Sequence, residues 1–310
     1  MIQQSNKYLR AETGFAKLKI NPGYWAIVLV LFVLTACGGG EIQSIAVPSD
    51  ETKLRVVTTT ALLADFVENV GREWVDVSPL VPPGADVHSF QTTPEDSIAI
   101  SRAQVIVLNG YGLDEFLEPV LDSARDDDSV WVVAAERLLP GETDPHLWQN
   151  PAFAIGYVDR IREALVAANP EHGADFGVNA GNYINELREL ELEIEETLSQ
   201  VKPELRHLIT YHDAFGHLAE RYGWEALSFV ASDADEVSPK AVAEILERIN
   251  QQGIPAIFVS PQLSSDVVRR TAEDSGIAVG TLYSGIAEEG ATSYIEMMRL
   301  NAGSLVRNLR

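Results

Sequence analysis

The chain has 310 residues, of which 46% are hydrophobic and 8% aromatic, so its composition is that of a globular protein and not of a disordered one. That length suffices for two medium-sized domains. The formal net charge of -23 argues against a nucleic-acid partner, because phosphate binding requires clustered Lys and Arg side chains.

Residues 1–36 have the organisation of an export signal. Basic residues between Lys7 and Lys19 precede an apolar run from Tyr24 to Ala36. That run is shorter than the roughly 20 residues that cross a bilayer, and it fits the apolar core of a secretory signal. We therefore expect residues 1–36 to be removed and the protein to be exported.

The apolar run ends in small residues followed by Cys37, which resembles the site at which a bacterial lipoprotein is cleaved and acylated. Cys37 is the single Cys of the chain, so an internal disulfide is excluded. We expect a lipid on Cys37, with residues 37–53 as a flexible tether. The protein would then be anchored to the outer face of the cytoplasmic membrane, or lie in the periplasm. An ordinary thiol is the alternative.

From Leu54 onward, short β-branched runs alternate with amphipathic segments. The first half contains predicted strands at 54–59, 75–78, 105–108 and 130–134, and predicted helices at 61–70, from 94, at 114–123 and at 151–169. The second half contains predicted strands at 208–211, 227–230, 256–260 and 278–282, and predicted helices at 215–222, 239–251, 265–275 and 293–309. This alternation predicts an α/β protein with a largely parallel sheet in each half.

One long helix is predicted between the two halves. Apolar residues recur every three or four positions from Asn179 to Val201, Glu residues occupy the other faces, and Pro203 ends the pattern. We expect a connecting helix within residues 173–203, between lobes at residues 54–172 and 204–310. A surface helix inside a single domain is the other interpretation of the same periodicity.

Three of the six histidines occupy loops or strand ends, where α/β proteins bind ligands. His88 follows a Pro-rich turn, His146 lies in a loop, and His212 closes a predicted strand. Their wide spacing excludes a local zinc finger but permits one site assembled from three loops. Imidazole binds zinc, copper, iron and nickel, and also manganese alongside carboxylates. The remaining histidines, His172, His207 and His217, lack such a context and are expected to contribute little.

The most specific local patterns are Gly84–His88, Asp144–Trp148 and Thr210–Phe215, supported by Ser238-Pro239 and Tyr294–Arg299. On these residues, the chain from about Leu54 to its C-terminus resembles the zinc- and manganese-specific solute-binding lipoproteins of ABC importers, also called adhesin lipoproteins. The resemblance implies two α/β lobes joined by a long rigid helix, with a metal ion in the cleft. It also implies that the ion is held by His88, His146 and His212. The protein would be a monomeric, non-enzymatic receptor that delivers its ion to the permease subunits of an importer.

One position departs from that family. Its members usually supply an Asp as fourth ligand after the last strand of the second lobe, whereas the same stretch here contains Ser284 and Gly285. Candidates for the fourth ligand are water and five acidic residues, which are Glu288, Glu289, Asp233, Asp235 and Glu236. Three imidazoles favour Zn²⁺ as the bound ion, and a second carboxylate would favour Mn²⁺, which is the harder ion.

Two other functions stay open on the residues alone. A zinc-dependent hydrolase can also hold its ion with three His and a catalytic water. A surface adhesion module would use the metal only as a structural element. Neither His-Glu-x-x-His nor Gly-x-Ser-x-Gly occurs in the sequence, which argues against the hydrolase.

Overall fold

The computed structural model describes residues 53–124, 126, 128–230, 237–263 and 265–310. The expected signal segment, Cys37 and three of the acidic candidates (Asp233, Asp235 and Glu236) lie outside the described residues. Within the described ranges, no helix combines the length and the apolar character that crossing a membrane requires.

Eight strands form two four-stranded parallel sheets. The first sheet has the order β2-β1-β3-β4 and consists of β1 (Leu54–Thr60), β2 (Val75–Val81), β3 (Val105–Leu108) and β4 (Val130–Val133). The second has the order β6-β5-β7-β8 and consists of β5 (His207–His212), β6 (Glu225–Val230), β7 (Ala256–Val259) and β8 (Ala278–Thr281). In each sheet the second strand in sequence lies on one side of the first strand, and the third and fourth strands lie on its other side. This change of side leaves a crevice at the carboxyl ends of the strands. The predicted α/β class is confirmed.

Nine α-helices connect these strands in the described part of the chain. They are α1 (Ala61–Gly71), α2 (Pro94–Arg102), α3 (Glu118–Ala124), α4 (Pro151–Ala168), α5 (Gly173–Ser199), α6 (Gly216–Tyr222), α7 (Pro239–Gln252), α8 (Asp266–Ser275) and α9 (Tyr294–Asn308). Side-chain caps fix several starts. Thr93 and Asp96 form a reciprocal capping box at α2, and Ser238 caps α7. The segment predicted as a helix from Asp114 begins with a 3₁₀ turn at Glu115–Leu117.

The long helix α5 has 27 residues and begins at Gly173, six residues before the apolar periodicity that starts at Asn179. Its buried stripe already includes Phe176 and continues through Leu187 to Leu198. It packs against α1, α4 and α9, so both lobes contribute to its surroundings. A helix buried along one whole face cannot bend freely, because bending would expose apolar surface at about 25 cal/mol per Å².

An aromatic junction ties the two lobes together beside α5. The ring of Phe66 on α1 contacts Tyr157, Tyr183 and Tyr294, with centroid distances of 5.9, 6.2 and 5.0 Å. Asp65 accepts hydrogen bonds from the Tyr294 backbone N–H at 3.1 Å and from the Tyr183 hydroxyl at 3.2 Å. Helix α9 of the second lobe is therefore held against α1 of the first.

Candidate metal centre

The structure brings together the three histidines that the sequence places far apart. His88 comes from the loop after β2, His146 from the loop after β4, and His212 from the end of β5. Their ring centroids are separated by 4.9 Å (His88–His212), 5.2 Å (His146–His212) and 5.9 Å (His88–His146). One ring nitrogen of each lies within 4.8 Å of the others, a spacing at which one ion can be bound by all three. His146 is 2% exposed and His212 7% exposed, whereas His88 is exposed.

The loop that carries His88 is shaped by local turn chemistry. Gly84 has φ of +79°, a conformation that residues with a side chain rarely adopt. Asp86 Oδ1 accepts the His88 backbone N–H at 3.0 Å and closes a turn around the histidine. The Gly84 N–H donates to the carbonyl oxygen of Ile286 at 2.9 Å, so this loop of the first lobe is bonded to the second lobe.

Asp144 fixes the orientation of His146. Its Oδ1 lies 2.7 Å from His146 Nδ1 and also accepts the His146 backbone N–H at 3.0 Å. Burial raises the pKa of Asp144, but the hydrogen bonds from the His146 ring and backbone N–H, together with the electrostatic influence of the two nearby imidazoles, lower it more, so it stays below its ordinary value. A carboxylate only accepts hydrogen bonds, so Nδ1 of His146 carries the proton. Its Nε2 then keeps a lone pair that can bind an ion.

The three histidines line a cavity of about 60 Å³, large enough for an ion with one or two waters. Trp148, Gln262 and Ser284 are among its other lining residues. Neither Glu288 nor Glu289 lines it, and both side chains are exposed. The reason is local. Ile286 is buried, and the Ala287 N–H donates to the carbonyl oxygen of Ala291 at 2.9 Å, which folds the intervening acidic residues into a turn on the surface.

Neutral groups occupy the position at which the resemblance to solute-binding lipoproteins predicts an Asp ligand. The Trp148 indole N–H donates to the Ser284 carbonyl oxygen at 2.9 Å, and Gln262 Nε2 donates to the Gly285 carbonyl oxygen at 2.9 Å. The second bond fixes the amide orientation of Gln262, whose Oε1 accepts the hydroxyl of Ser260. The Ser260 oxygen lies 3.3 Å from the Ser284 hydroxyl, which can donate to it and keep its own lone pairs available.

Two acidic residues near the triad were not assigned a role from the sequence, although both lie inside the specific local patterns around His146 and His212. Asp144 contacts His146 directly, as described. Asp213 is half-buried, and both burial and the negative charge of Asp144 raise the pKa of its carboxyl group. Acidic groups just outside the ligand shell offset part of an ion's charge without binding it.

The other histidines lie elsewhere, with one exception. His172 stacks on Trp74 at a centroid distance of 3.5 Å, and His207 Nδ1 lies 3.0 Å from a carboxylate oxygen of Glu225. His217, by contrast, is buried behind the triad, with Nε2 at 3.6 Å from Asp144 Oδ2. Nothing in its local sequence distinguishes it from an ordinary helical histidine, and Gln262 likewise has no motif of its own.

Comparison with known proteins gives one consistent match over nearly the whole described chain. The family model described as ZnuA, zinc-uptake complex component A, periplasmic, matches residues 56–308. The manganese-binding lipoprotein MntA of Halalkalibacterium halodurans is 29% identical, covering 92% of this chain and 98% of its own. The iron-binding protein YfeA of Yersinia pestis is 29% identical over 84% of this chain and 88% of its own. Among solved structures, the periplasmic zinc-binding protein TroA of Treponema pallidum matches with a TM-score of 0.77 and 28% identity, covering 83% of this chain and 99% of its own.

Proposed function

The chain belongs to the family of the periplasmic zinc-uptake component A, the metal-binding solute-binding proteins of ABC transporters, and on that basis we propose that it captures zinc, with manganese as the alternative, for an importer. The family is one of transport proteins and not of enzymes. The observation that carries the proposal is the convergence of His88, His146 and His212 on one cavity between the lobes.

The preference for zinc rests on the donor atoms. Three imidazole nitrogens form a set that suits zinc, whereas manganese prefers carboxylate and water oxygens. Among the described residues, no carboxylate joins the three histidines in the cluster. The names of the relatives specify manganese, iron and zinc in different cases. The preference for zinc is therefore inferred from the donor atoms of this chain.

For the fourth position we propose a water held in the cavity. Glu288 and Glu289 would have to leave their surface turn to reach the ion, and Asp235 and Glu236 lie outside the described residues. A water ligand leaves the ion exchangeable, which suits a protein that must release it to a permease. The charge of the ion is offset in part by Asp144 behind His146.

The test of this function is metal analysis and binding on the protein without residues 1–36. Competition with a chelator of known affinity should give a zinc dissociation constant at least tenfold below that for manganese, about 1.4 kcal/mol. Thermal melts should show a folded protein with and without chelator, since a receptor must remain folded after release. Unfolding on metal removal would point to a structural ion and an adhesion module. Hydrolase activity of the zinc-loaded form would contradict a transport role.

The lipid anchor and the permease partner remain part of the proposal. Extracytoplasmic lipoproteins among the relatives support an anchor on Cys37, followed by residues 37–53 as a tether. Cys37→Ala should release the protein from membranes or leave it unprocessed, as followed by fractionation and mass spectrometry. A processed Cys37→Ala protein that stays in the membrane fraction would contradict the anchor. We expect the receptor to act as a monomer.

A further inference from the structure

His217 is a buried polar residue that has no assigned role in the proposed metal binding. It lies in the first turn of α6, in the second lobe, and is 3% exposed. Its Nε2 is sealed from solvent and makes no hydrogen bond to any described residue. The polar atoms near it are two carboxylate oxygens, Asp144 Oδ2 at 3.6 Å and Glu142 Oε2 at 3.9 Å. A buried ring nitrogen without a partner is costly, so its surroundings need an explanation.

The carboxylate that faces His217 is the one that orients His146. Asp144 uses Oδ1 for the His146 ring and presents Oδ2 to the His217 ring. The first lobe supplies Asp144 and His146, and the second lobe supplies His217. A Cβ atom on Gly216 would lie 3.3 Å from Asp144 Oδ2, so a residue without a side chain lets the start of α6 approach this carboxylate closely.

The environment of His217 also fixes its proton. Glu142 and Asp144 both present a carboxylate oxygen to His217 Nε2, and a carboxylate only accepts hydrogen bonds. An unprotonated Nε2 would set a lone pair against two carboxylate oxygens within 4 Å. The Nε2 atom therefore carries the hydrogen. The edge of the Phe153 ring packs on His217 at 5.7 Å and 89°, which restrains the rotation of the imidazole.

We propose that His217 is a positioning residue for metal binding, which holds Asp144 from the second lobe so that Asp144 keeps His146 Nε2 directed at the ion. The inference rests on the proposed function, in which His146 is a ligand. The separation of 3.6 Å is longer than a hydrogen bond, so the attraction in this state is electrostatic. A bound ion makes the His146 ring a stronger donor and draws Asp144 toward it, and His217 limits that movement.

Two substitutions separate positioning from simple packing. His217→Leu keeps much of the volume but removes the N–H, whereas His217→Gln places an amide N–H at a similar reach. His207→Leu and His207→Gln are matched controls, because His207 pairs with Glu225 away from the triad. The readouts are zinc affinity, the visible absorption spectrum of the cobalt-loaded protein, and the melting temperature of the metal-free protein.

We expect His217→Leu to weaken zinc binding by about tenfold, the effect typical of groups that orient a metal ligand, and to alter the cobalt spectrum. His217→Gln should bind within about twofold of wild type, since one hydrogen-bond donor is restored. Unchanged affinity and spectrum in His217→Leu would overturn the inference, as would equal losses in the Leu and Gln variants. Should His217→Leu fail to fold, ring-nitrogen NMR of the wild-type protein decides, because a proton on Nδ1 and not on Nε2 overturns the inference.

The same experiments distinguish this inference from the function on which it rests. Wild-type protein that binds neither zinc nor cobalt would end both proposals. Loss of binding in His146→Ala combined with wild-type binding in His217→Leu would leave the receptor function intact and remove the role of His217.

Discussion

The indole N–H of Trp148 donates to the carbonyl oxygen of Ser284 at 2.9 Å and so joins the two walls of the cleft. The same indole packs edge-on against the His146 ring at a centroid distance of 5.1 Å. One side chain of the first lobe therefore contacts both a candidate ligand and the loop that follows the last strand of the second lobe.

Replacing Trp148 with Phe should weaken the connection between the lobes. The variant loses one hydrogen bond, which contributes about 1 kcal/mol to the free energy of unfolding. It should also release metal faster, because His146 loses part of its packing. Urea unfolding and stopped-flow release into a chelator measure the two effects. Trp131→Phe is the control, since its indole bonds to Ser129 Oγ at 2.8 Å far from the triad. Equal release rates for both variants would contradict the prediction.

Alanine at any of the three clustered histidines should weaken zinc binding by at least tenfold, about 1.4 kcal/mol. Replacing His88, His146 or His212 would leave the ion with one nitrogen ligand fewer. His172→Ala and His207→Ala should bind zinc as the wild type does, because neither residue approaches the cavity. Chelator competition measures all five affinities. Similar losses at all five positions would show that the clustering has no bearing on binding.

Zinc affinity should fall as the pH is lowered from about 7.5 to about 5. Only a neutral imidazole offers a lone pair, and the reference pKa of histidine is about 6.5, so protons and zinc compete for the same nitrogens. The affinity should therefore be highest above that pH and drop below it. Calorimetric titrations at half-unit pH intervals give the profile. A flat profile over this range would be inconsistent with a site made of three histidines.

Asp65 should make the stability of the fold depend on pH. Burial raises its pKa to about 6, although hydrogen bonds from Tyr294 and Tyr183 oppose the shift. The folded state therefore binds this proton more tightly than the unfolded state, whose pKa is 3.8. The stabilisation is complete below the unfolded pKa and is lost as the pH rises through about 6. The loss amounts to at most about 3 kcal/mol, since one pKa unit corresponds to about 1.4 kcal/mol.

The test is urea unfolding of Asp65→Asn between pH 4 and pH 7. The amide oxygen of Asn can still accept the Tyr294 and Tyr183 hydrogen bonds, but it does not titrate. The contribution of position 65 to the pH dependence should disappear in this variant. Asp76→Asn, which removes an exposed carboxyl group on β2, serves as the control. Identical pH profiles for wild type and Asp65→Asn would contradict the assignment.

Ser284→Asp should shift the metal preference toward manganese. The serine lines the cavity, so a carboxylate there adds an oxygen ligand of the kind that manganese prefers. We expect the manganese affinity to rise about tenfold relative to that for zinc. Ser101→Asp adds the same charge at an exposed position on α2 and should leave the ratio unchanged. Glu288→Gln and Glu289→Gln should also leave it unchanged, and a large effect of either would show that the surface turn reaches the ion.

Most of the fold could be predicted from the sequence because the α/β pattern is regular. The bounds of β3 agree with the prediction, and the strand and helix order was predicted throughout. The apolar periodicity of the long helix starts later than the helix itself, because the first turns contain two glycines and only Phe176 anchors them in the core. Burial there depends on α1 and α4, which the local sequence does not contain.

The candidate site could be predicted only where short patterns carry its residues. His88, His146 and His212 each lie in a specific loop pattern, and the structure brings them together. Glu288 was a candidate because of its nearness in sequence, but a surface turn directs it away from the cavity. His217 approaches Asp144 only because α6 packs across the lobe boundary, a relationship that no spacing along the chain reveals.

The three histidines lie in loops or at the last residue of a strand, at the carboxyl ends of the two sheets. The metal preference and the stability of the fold can therefore change separately in evolution. A change at position 284 exchanges a donor atom without disturbing a strand, and a core change away from residues that pack on the donors, such as Trp148, leaves the donors where they are. Such independence explains how proteins named for manganese, iron and zinc descend through one architecture.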